Sequence, residues 1–295
     1  MQKINYWCDN DDLLKNYIDK SLNRFNCRIS SSTSLQYGII PRIIHFIWLG
    51  TNQLSPKFEK CIDSWKIFHS DWIVKVWTDD SIKDFYIENR DKFDNADNYG
   101  MKSDILRYEI LFREGGVYID VDYECLQSLD IITSNCSFFA GLSSSVALEV
   151  NNGIIGSVPN HPLLQKLISL IKSLPIEQQP QSPFLKNQIS SFLSFEEISV
   201  FDTVLTSTAN NDKYMRTIRE TGPGLLTKTV LEIFSDPIIS IFTNEIAIFP
   251  KHIFSPIPNT YHANLDNDEE ILTLKSRFLE IDTIAVHWHQ RSWQK

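Results

Sequence analysis

A chain of 295 residues, 42% hydrophobic and 22% charged, is long enough for one large or two small domains. Seven Trp and 18 Phe supply material for a core. A formal net charge of -9 argues against a general nucleic-acid binder, because phosphate contacts need a basic face, and no run of about 18 apolar residues marks a membrane span.

The opening MQKINYWCDNDDLLK carries early acids and no apolar stretch, so it does not read as a signal peptide. Residues 9–25 place Leu13, Leu14, Tyr17, Ile18, Leu22 and Phe25 on one helical stripe, and the serine-rich CRISSSTSLQYG after them reads as a linker or loop. IPRIIHFIWLG predicts a first buried strand and WIVKVWTDD a second, with a helix at PKFEKCIDSWKIF between them. SDILRYEILFREGG predicts an amphipathic helix with Ser103 as N-cap and Gly115 as its stop. It feeds a strand at VYIDVD, so the order strand, helix, strand, helix, strand predicts a layered α/β domain. Beyond it, SFFAGL and NGIIGS predict strands and HPLLQKLISLIKSL a helix. PIEQQPQSPFLKNQ reads as a polar loop, TGPGLLTKTVLEIF opens a helix, and EIAIFP and DTIAVHW are the remaining strands. Cys8, Cys27, Cys61, Cys125 and Cys136 are odd in number and lack metal-ligand spacing, so they read as free thiols. That implies a reducing compartment: a cytosol, either the cell's own or a host's if the protein is delivered there.

Two acids stand out in GGVYIDVD. On one strand Asp120 and Asp122 would share a face, and holding two like charges together costs free energy. A strand end meeting solvent is one explanation. A divalent cation is the other, since Mg²⁺ and Mn²⁺ take carboxylate oxygens and bridge to phosphates. Upstream, Asp104 and Arg107 are neighbours on one helix face, either as a surface ion pair or as a polar clamp for a hydroxylated ligand. Trp48 closes the first strand, as core packing or as a stacking platform for a nucleobase, with Gly50 permitting close approach. In the tail AVHWHQRSWQK, alternation puts His287 and His289 on one face, where either could be a further metal ligand.

Taken together, IPRIIHFIWLG, MKSDILRYEILFREGGVYIDVDYECLQSLD, NNGIIGSVPNHP, TGPG and HWHQRSW resemble the DXD-containing glycosyltransferases of family 32. That group includes capsular polysaccharide synthesis enzymes and yeast-type mannosyltransferases. The glycosyltransferase domains of large clostridial cytotoxins and related bacterial effectors are more distantly similar. The resemblance runs from about residue 40 to the end. It implies a GT-A fold over residues 38–295, a mixed central sheet flanked by helices, preceded by a helical extension at 1–37. It also implies a nucleotide-sugar donor (UDP- or GDP-linked), a glycan or protein acceptor, and a divalent metal, Mn²⁺ or Mg²⁺.

Carried over by position, the resemblance gives Trp48 the donor's base, and Asp104 and Arg107 the sugar and its phosphate side. Asp120 would reach ribose and sugar hydroxyls, Asp122 would ligate the metal, and Asn152 would lie near the sugar. His287 or Ser292 would complete the metal site, and Trp293 would close over the phosphates. Family members often carry two adjacent histidines before SW; here Trp288 separates His287 from His289, and His287 is the expected ligand. The implied reaction is sugar transfer with retention of anomeric configuration. A haloacid-dehalogenase-like phosphatase also begins with DxD, but it wants Thr or Val where this chain has Glu124. A catalytically silent sugar-nucleotide binder is the other alternative.

Overall fold

The computed structural model describes residues 11–31, 38–144, 148–174, 215–235, 245–261 and 263–290. The predicted loop PIEQQPQSPFLKNQ and most of HQRSWQK lie outside them. Eight strands and nine helices have both ends among the described residues, and residues 215–220 are helical as well.

In chain order, α1 (Asp11–Ser31) precedes β1 (Ile43–Ile47), α2 (Pro56–Phe68) and β2 (Ile73–Trp77). Next come α3 (Arg90–Asp94), α4 (Tyr99–Glu114), β3 (Gly116–Ile119) and β4 (Tyr123–Cys125). α5 (Asp130–Thr133), β5 (Phe138–Leu142), β6 (Val150–Ser157) and α6 (Pro162–Ser173) lie beyond them. The remaining elements are α7 (Pro223–Ser235), β7 (Ile246–Phe249), α8 (Lys251–Phe254), α9 (Asp268–Phe278) and β8 (Ala285–His287). Six strands form one sheet in the order β2-β1-β3-β6-β5-β7, and β4 pairs with β8 in a second, two-stranded sheet. β1 runs parallel to both β2 and β3, while β6 is antiparallel to β3 and β5. The result is the layered α/β domain that the order of elements predicts, with the mixed, helix-flanked sheet that the resemblance implies.

The helices form where apolar spacing demands them. In α2, Phe58, Cys61, Ile62 and Trp65 recur every three or four residues and are all buried, and Pro56 opens the first turn, where its missing N–H costs nothing. The inner face of α2 also anchors the chain just beyond β3. Trp65 Nε1 donates to the carbonyl of Tyr123 at 2.9 Å, and Cys125 N–H donates to Ser64 Oγ at 2.8 Å. Two apolar layers cover the main sheet. One centres on Ile105, Tyr108, Leu164, Leu226 and Tyr118; the other on Phe46, Trp65, Ile119, Phe139 and Phe254.

Several boundaries differ from those the sequence predicts. α1 continues into the supposed linker as far as Ser31, and it lies on the outer strand β7: Ile248 N–H donates to Ser21 Oγ at 3.3 Å. α4 starts earlier than predicted, at Tyr99, because the Asn98 side chain accepts Met101 N–H at 2.9 Å. Ser103 is therefore inside the helix rather than its cap, whereas Gly115 does end it. β3 stops at Ile119, so Asp120 and Asp122 do not share a strand. They flank a turn closed by Tyr123 N–H on the carbonyl of Asp120 at 3.1 Å. α9, capped by Asn267, falls where the sequence reading assigned nothing.

Candidate active-site cleft

A cleft of about 300 Å³ opens where β1 and β3 end. Its wall runs from Trp48, Gly50 and Tyr99 past Asp104, Arg107, Asp120 and Asp122 to Asn152 and His287. Carboxyl ends of parallel strands are where open α/β sheets usually place ligands, because side chains there leave the sheet without a partner strand.

α4 contributes the polar centre. Arg107 Nη2 lies 3.0 Å from Asp104 Oδ1 and 3.5 Å from Asp120 Oδ1, and its Nη1 donates to the carbonyl of Asn152 at 2.7 Å. Asp104 also accepts from Asn152 Nδ2 at 2.8 Å and from Thr221 Oγ1 at 3.0 Å. Asp104 and Arg107 are both buried, so the surface ion-pair reading of this pair fails. A buried pair that loses one member leaves an uncompensated charge, at a cost of about 3–5 kcal/mol. Burial raises the Asp104 carboxyl to about 6, against the opposing pull of Arg107 and the hydrogen bonds from Thr221 and Asn152.

β6 delivers Asn152 through an irregularity. The register against β5 jumps between Ala140 and Gly141, so Asn152, Gly153 and Ile154 are extra residues on the β6 side. Such bulges re-aim side chains. Here Asn152 points to Asp104 and Tyr108, while Asn151 donates to Tyr123 Oη at 3.2 Å.

The two acids of the DxD are pushed in opposite directions. Asp120 accepts from Tyr118 Oη at 2.5 Å; burial raises its pKa, with Arg107 opposing and Asp122 adding to the rise. At Asp122 burial also pushes upward, but His287 at 3.3 Å and the Gln290 N–H at 2.7 Å overcome it and hold the carboxyl at about 2. The repulsion between the two acids is thus relieved by an arginine on one side and a histidine on the other. Ligand atoms of Asp120, Asp122 and His287 all lie within 4.8 Å of one another. Two carboxylates and an imidazole suit a hard or borderline divalent cation. The fit has a second mark: His287 Nδ1 is buried without a hydrogen-bond partner, so its ring is not spent on structure at both nitrogens.

β8 explains which histidine faces the acids. His287 pairs with Tyr123 across β4 and stacks on its ring at 4.2 Å. The strand ends there, and His289 adopts a left-handed backbone (φ 51°), so strand alternation does not place the two histidines. His289 Nε2 instead meets Ser144 Oγ and the carbonyl of Ile257, each at 3.1 Å. Trp48, partly buried, lines the cleft and packs against Phe58 with ring centroids 5.6 Å apart. Ser292 and Trp293 lie outside the described residues.

Sequence reasoning missed several members of the site. Tyr118 carries Arg107 over its ring at 4.3 Å and bonds Asp120; its place two residues before Asp120 was a usable signal. Thr221, the first residue of TGPG, supports Asp104. Glu149 also lines the cleft and had no motif to mark it. No helix among the described residues is long and apolar enough to cross a membrane.

Several known proteins are similar to this chain. The chain is 31% identical over 150 residues to inositol phosphoceramide mannosyltransferase 3 of Schizosaccharomyces pombe, covering 48% of this chain and 39% of that protein. It is 34% identical over 142 residues to the mannosyl phosphorylinositol ceramide synthase SUR1 of Saccharomyces cerevisiae, covering 45% and 35%. The chain thus spans well under half the length of these curated relatives. Among solved structures, the PaToxG glycosyltransferase is similar at a TM-score of 0.47 and 18% identity, over 78% of this chain and 84% of that one. Residues 55–139 match the family model of the glycosyltransferase sugar-binding region containing the DXD motif.

Proposed function

We propose that the protein is a metal-dependent glycosyltransferase that moves a sugar from a nucleotide-sugar donor to a hydroxyl of a glycan or protein acceptor. The observation that carries this reading is the meeting of Asp120, Asp122 and His287 at one point of a cleft that also holds Trp48 and the Asp104–Arg107–Asn152 cluster. The names of the relatives make mannose the first sugar to test. In this reading the base stacks on Trp48, and the sugar lies against Asp104, Asn152 and Asp120. The resemblance assigns Trp293 to closure over the phosphates and Ser292, as the alternative to His287, to the metal.

Asp122 and His287, with Asp120 beside them, would hold Mn²⁺ or Mg²⁺. A bound divalent ion supplies charge stabilisation for a departing nucleoside diphosphate. The chain's own groups supply the rest. Arg107, fixed by Ser103, Asp104 and the carbonyl of Asn152, offers a preorganised cation. Asp104 and Asp120 present negative charge where the transferred sugar gains positive character. Asp104, Asp120 and Asp122 are each tied to a partner, which favours front-face attack with retention over a covalent intermediate on one of them. The buried free thiols Cys61, Cys125 and Cys136 support a reducing compartment such as a cytosol.

The test is a panel of UDP- and GDP-sugars, GDP-mannose included, assayed for hydrolysis and transfer with Mn²⁺ and with chelator. Metal-dependent release of a nucleoside diphosphate is expected with at least one donor. No turnover and no binding across the panel would defeat the reading.

A further inference from the structure

Glu149 is the one acid of the cleft that the proposed chemistry leaves unused. The peptide group that joins it to Val150 is held at both its carbonyl and its N–H. Ser143 N–H donates to its carbonyl at 2.8 Å, and the next residue, Val150, donates its N–H to Thr227 Oγ1 at 2.9 Å. It lines the same cleft as Asp104, Arg107, Asn151 and Asn152.

Asp104, Asp120 and Asp122 each have charged or amide partners. Among the described residues the Glu149 carboxylate has no hydrogen bond and no ion pair. Arg107 is the only arginine or lysine of the described cleft wall, and it is committed to Asp104 and Asp120. Glu149 is half-buried in the cleft, and that burial pushes its carboxyl up to about 7. Near neutral pH it can therefore either donate or accept a hydrogen bond. That chemistry suits an alcohol hydroxyl and not a phosphate, which a neighbouring acid would repel.

We propose that Glu149 is a specificity-determining ligand for the donor sugar, hydrogen-bonding one of its hydroxyl groups. This rests on the glycosyltransferase reading and extends it. Glu149 stands three residues before Asn152, at the start of the strand that reaches the Asp104–Arg107 cluster, so the transferred sugar is the nearest hydroxyl-bearing part of the donor. No bond is made or broken at Glu149; it selects the sugar by pairing with a hydroxyl.

The test compares Glu149→Ala and Glu149→Gln with the wild-type chain. Affinities for UDP and GDP are measured beside those for UDP-glucose, UDP-N-acetylglucosamine and GDP-mannose, with unfolding temperature as control. Glu149→Ala should weaken the accepted sugar nucleotide by about tenfold or more, as expected when a hydrogen bond to a carboxyl group is removed. It should leave the bare nucleoside diphosphate unchanged and narrow the preference among the sugars. Glu149→Gln, with an amide that still donates and accepts, should keep most of the affinity, and it carries the test if the alanine variant does not fold. Equal sugar-nucleotide affinity in wild type and a folded variant overturns the assignment, including the case where only acceptor use changes. An equal loss for UDP or GDP and for the sugar nucleotide overturns it too. A wild-type chain that neither binds nor turns over any of the three donors overturns the glycosyltransferase reading, and this inference falls with it.

Discussion

Gly153 leaves room for Asp120. A Cβ on Gly153 would come within 2.8 Å of Asp120 Oδ2, while the Gly153 carbonyl already accepts the Asp120 N–H at 2.8 Å. Asp120 cannot easily retreat, because Tyr118 and Arg107 hold its other oxygen. The glycine of NNGIIG therefore sets the position of the first acid of the DxD from across the sheet.

Gly153→Ala should fold and yet work poorly. The methyl group must displace the Asp120 carboxylate, and it crowds Asn151 Oδ1 and Tyr123 Cε2 at 3.1 Å as well, so the acid loses its place beside Asp122 and His287. Residues that orient metal ligands typically affect metal affinity by about 10–100-fold. The expected outcome is a Mn²⁺ dependence of donor hydrolysis shifted upward by at least about tenfold, with little change in unfolding temperature. An unchanged Mn²⁺ requirement would show that Asp120 stands outside the metal site.

Asp122→Asn tests the second acid, and here the structure reverses a plausible expectation. From sequence alone, removing one of two nearby like charges should relieve repulsion and stabilise the metal-free protein. In the fold Asp122 is held by His287 and by the Gln290 N–H, and its pKa falls from 3.8 to about 2. A carboxyl with a lowered folded pKa adds stability that is present above its unfolded value and lost as pH falls through the folded one. In chelator at pH 7, Asp122→Asn should therefore lower stability, by about 2 kcal/mol. The gap should close as pH falls from the unfolded value of 3.8 through about 2. Thermal or denaturant unfolding across pH decides the sign; a variant more stable than wild type at pH 7 would restore the repulsion argument.

What the sequence made legible was the part governed by local pattern. α2, α6 and the strands of the main sheet fall where apolar periodicity puts them, and Asp104, Arg107, Asp120 and Asp122 are all in the cleft. What it hid depends on contacts between distant segments. The turn at Asp120–Tyr123 exists because α2 and β8 capture the chain there, through Trp65 on Tyr123 and Trp288 N–H on the carbonyl of Asp122. A strand pattern cannot show that. The bulge in β6 is equally silent, since NNG reads as a strand start until it is paired with β5. Glu149 escaped notice because a lone acid in ALEVNN carries no spacing signal at all.

The histidines should separate cleanly. His287→Ala removes a group within reach of both acids, so the Mn²⁺ dependence should move to higher concentration while nucleotide binding through Trp48 persists. His289→Ala removes contacts to Ser144 and to the carbonyl of Ile257, and should act mainly on stability, through a buried acceptor left without its donor, at about 1–3 kcal/mol. Metal titration of activity beside an unfolding curve tells the two effects apart. The reverse pattern, with metal dependence moving only in His289→Ala, would assign the ligand to the other histidine.

Helix α1, which the sequence alone casts as an extension, should prove necessary to the fold. Among the described residues β7 is an edge strand, and edge strands carry unpaired N–H and C=O groups that invite association with other chains. α1 covers that edge. Ser21 Oγ takes the Ile248 N–H, Arg28 Nε donates to the carbonyl of Asn135 at 2.8 Å, and Tyr17 stacks on Phe234 of α7 at 5.0 Å. Leu14, Ile18 and Phe25 are buried in the cores on the two sides of the sheet. Phe25→Ala should cost about 3–5 kcal/mol through the cavity it leaves. Ser21→Ala should cost less, because it leaves one strand amide unpaired. A chain lacking residues 1–37 should be poorly soluble or should self-associate through β7, even though no residue of the cleft has been removed. Sedimentation and unfolding measurements give the answer: a monomeric truncation that unfolds cooperatively at the wild-type temperature would make α1 a dispensable appendage, and its burial incidental.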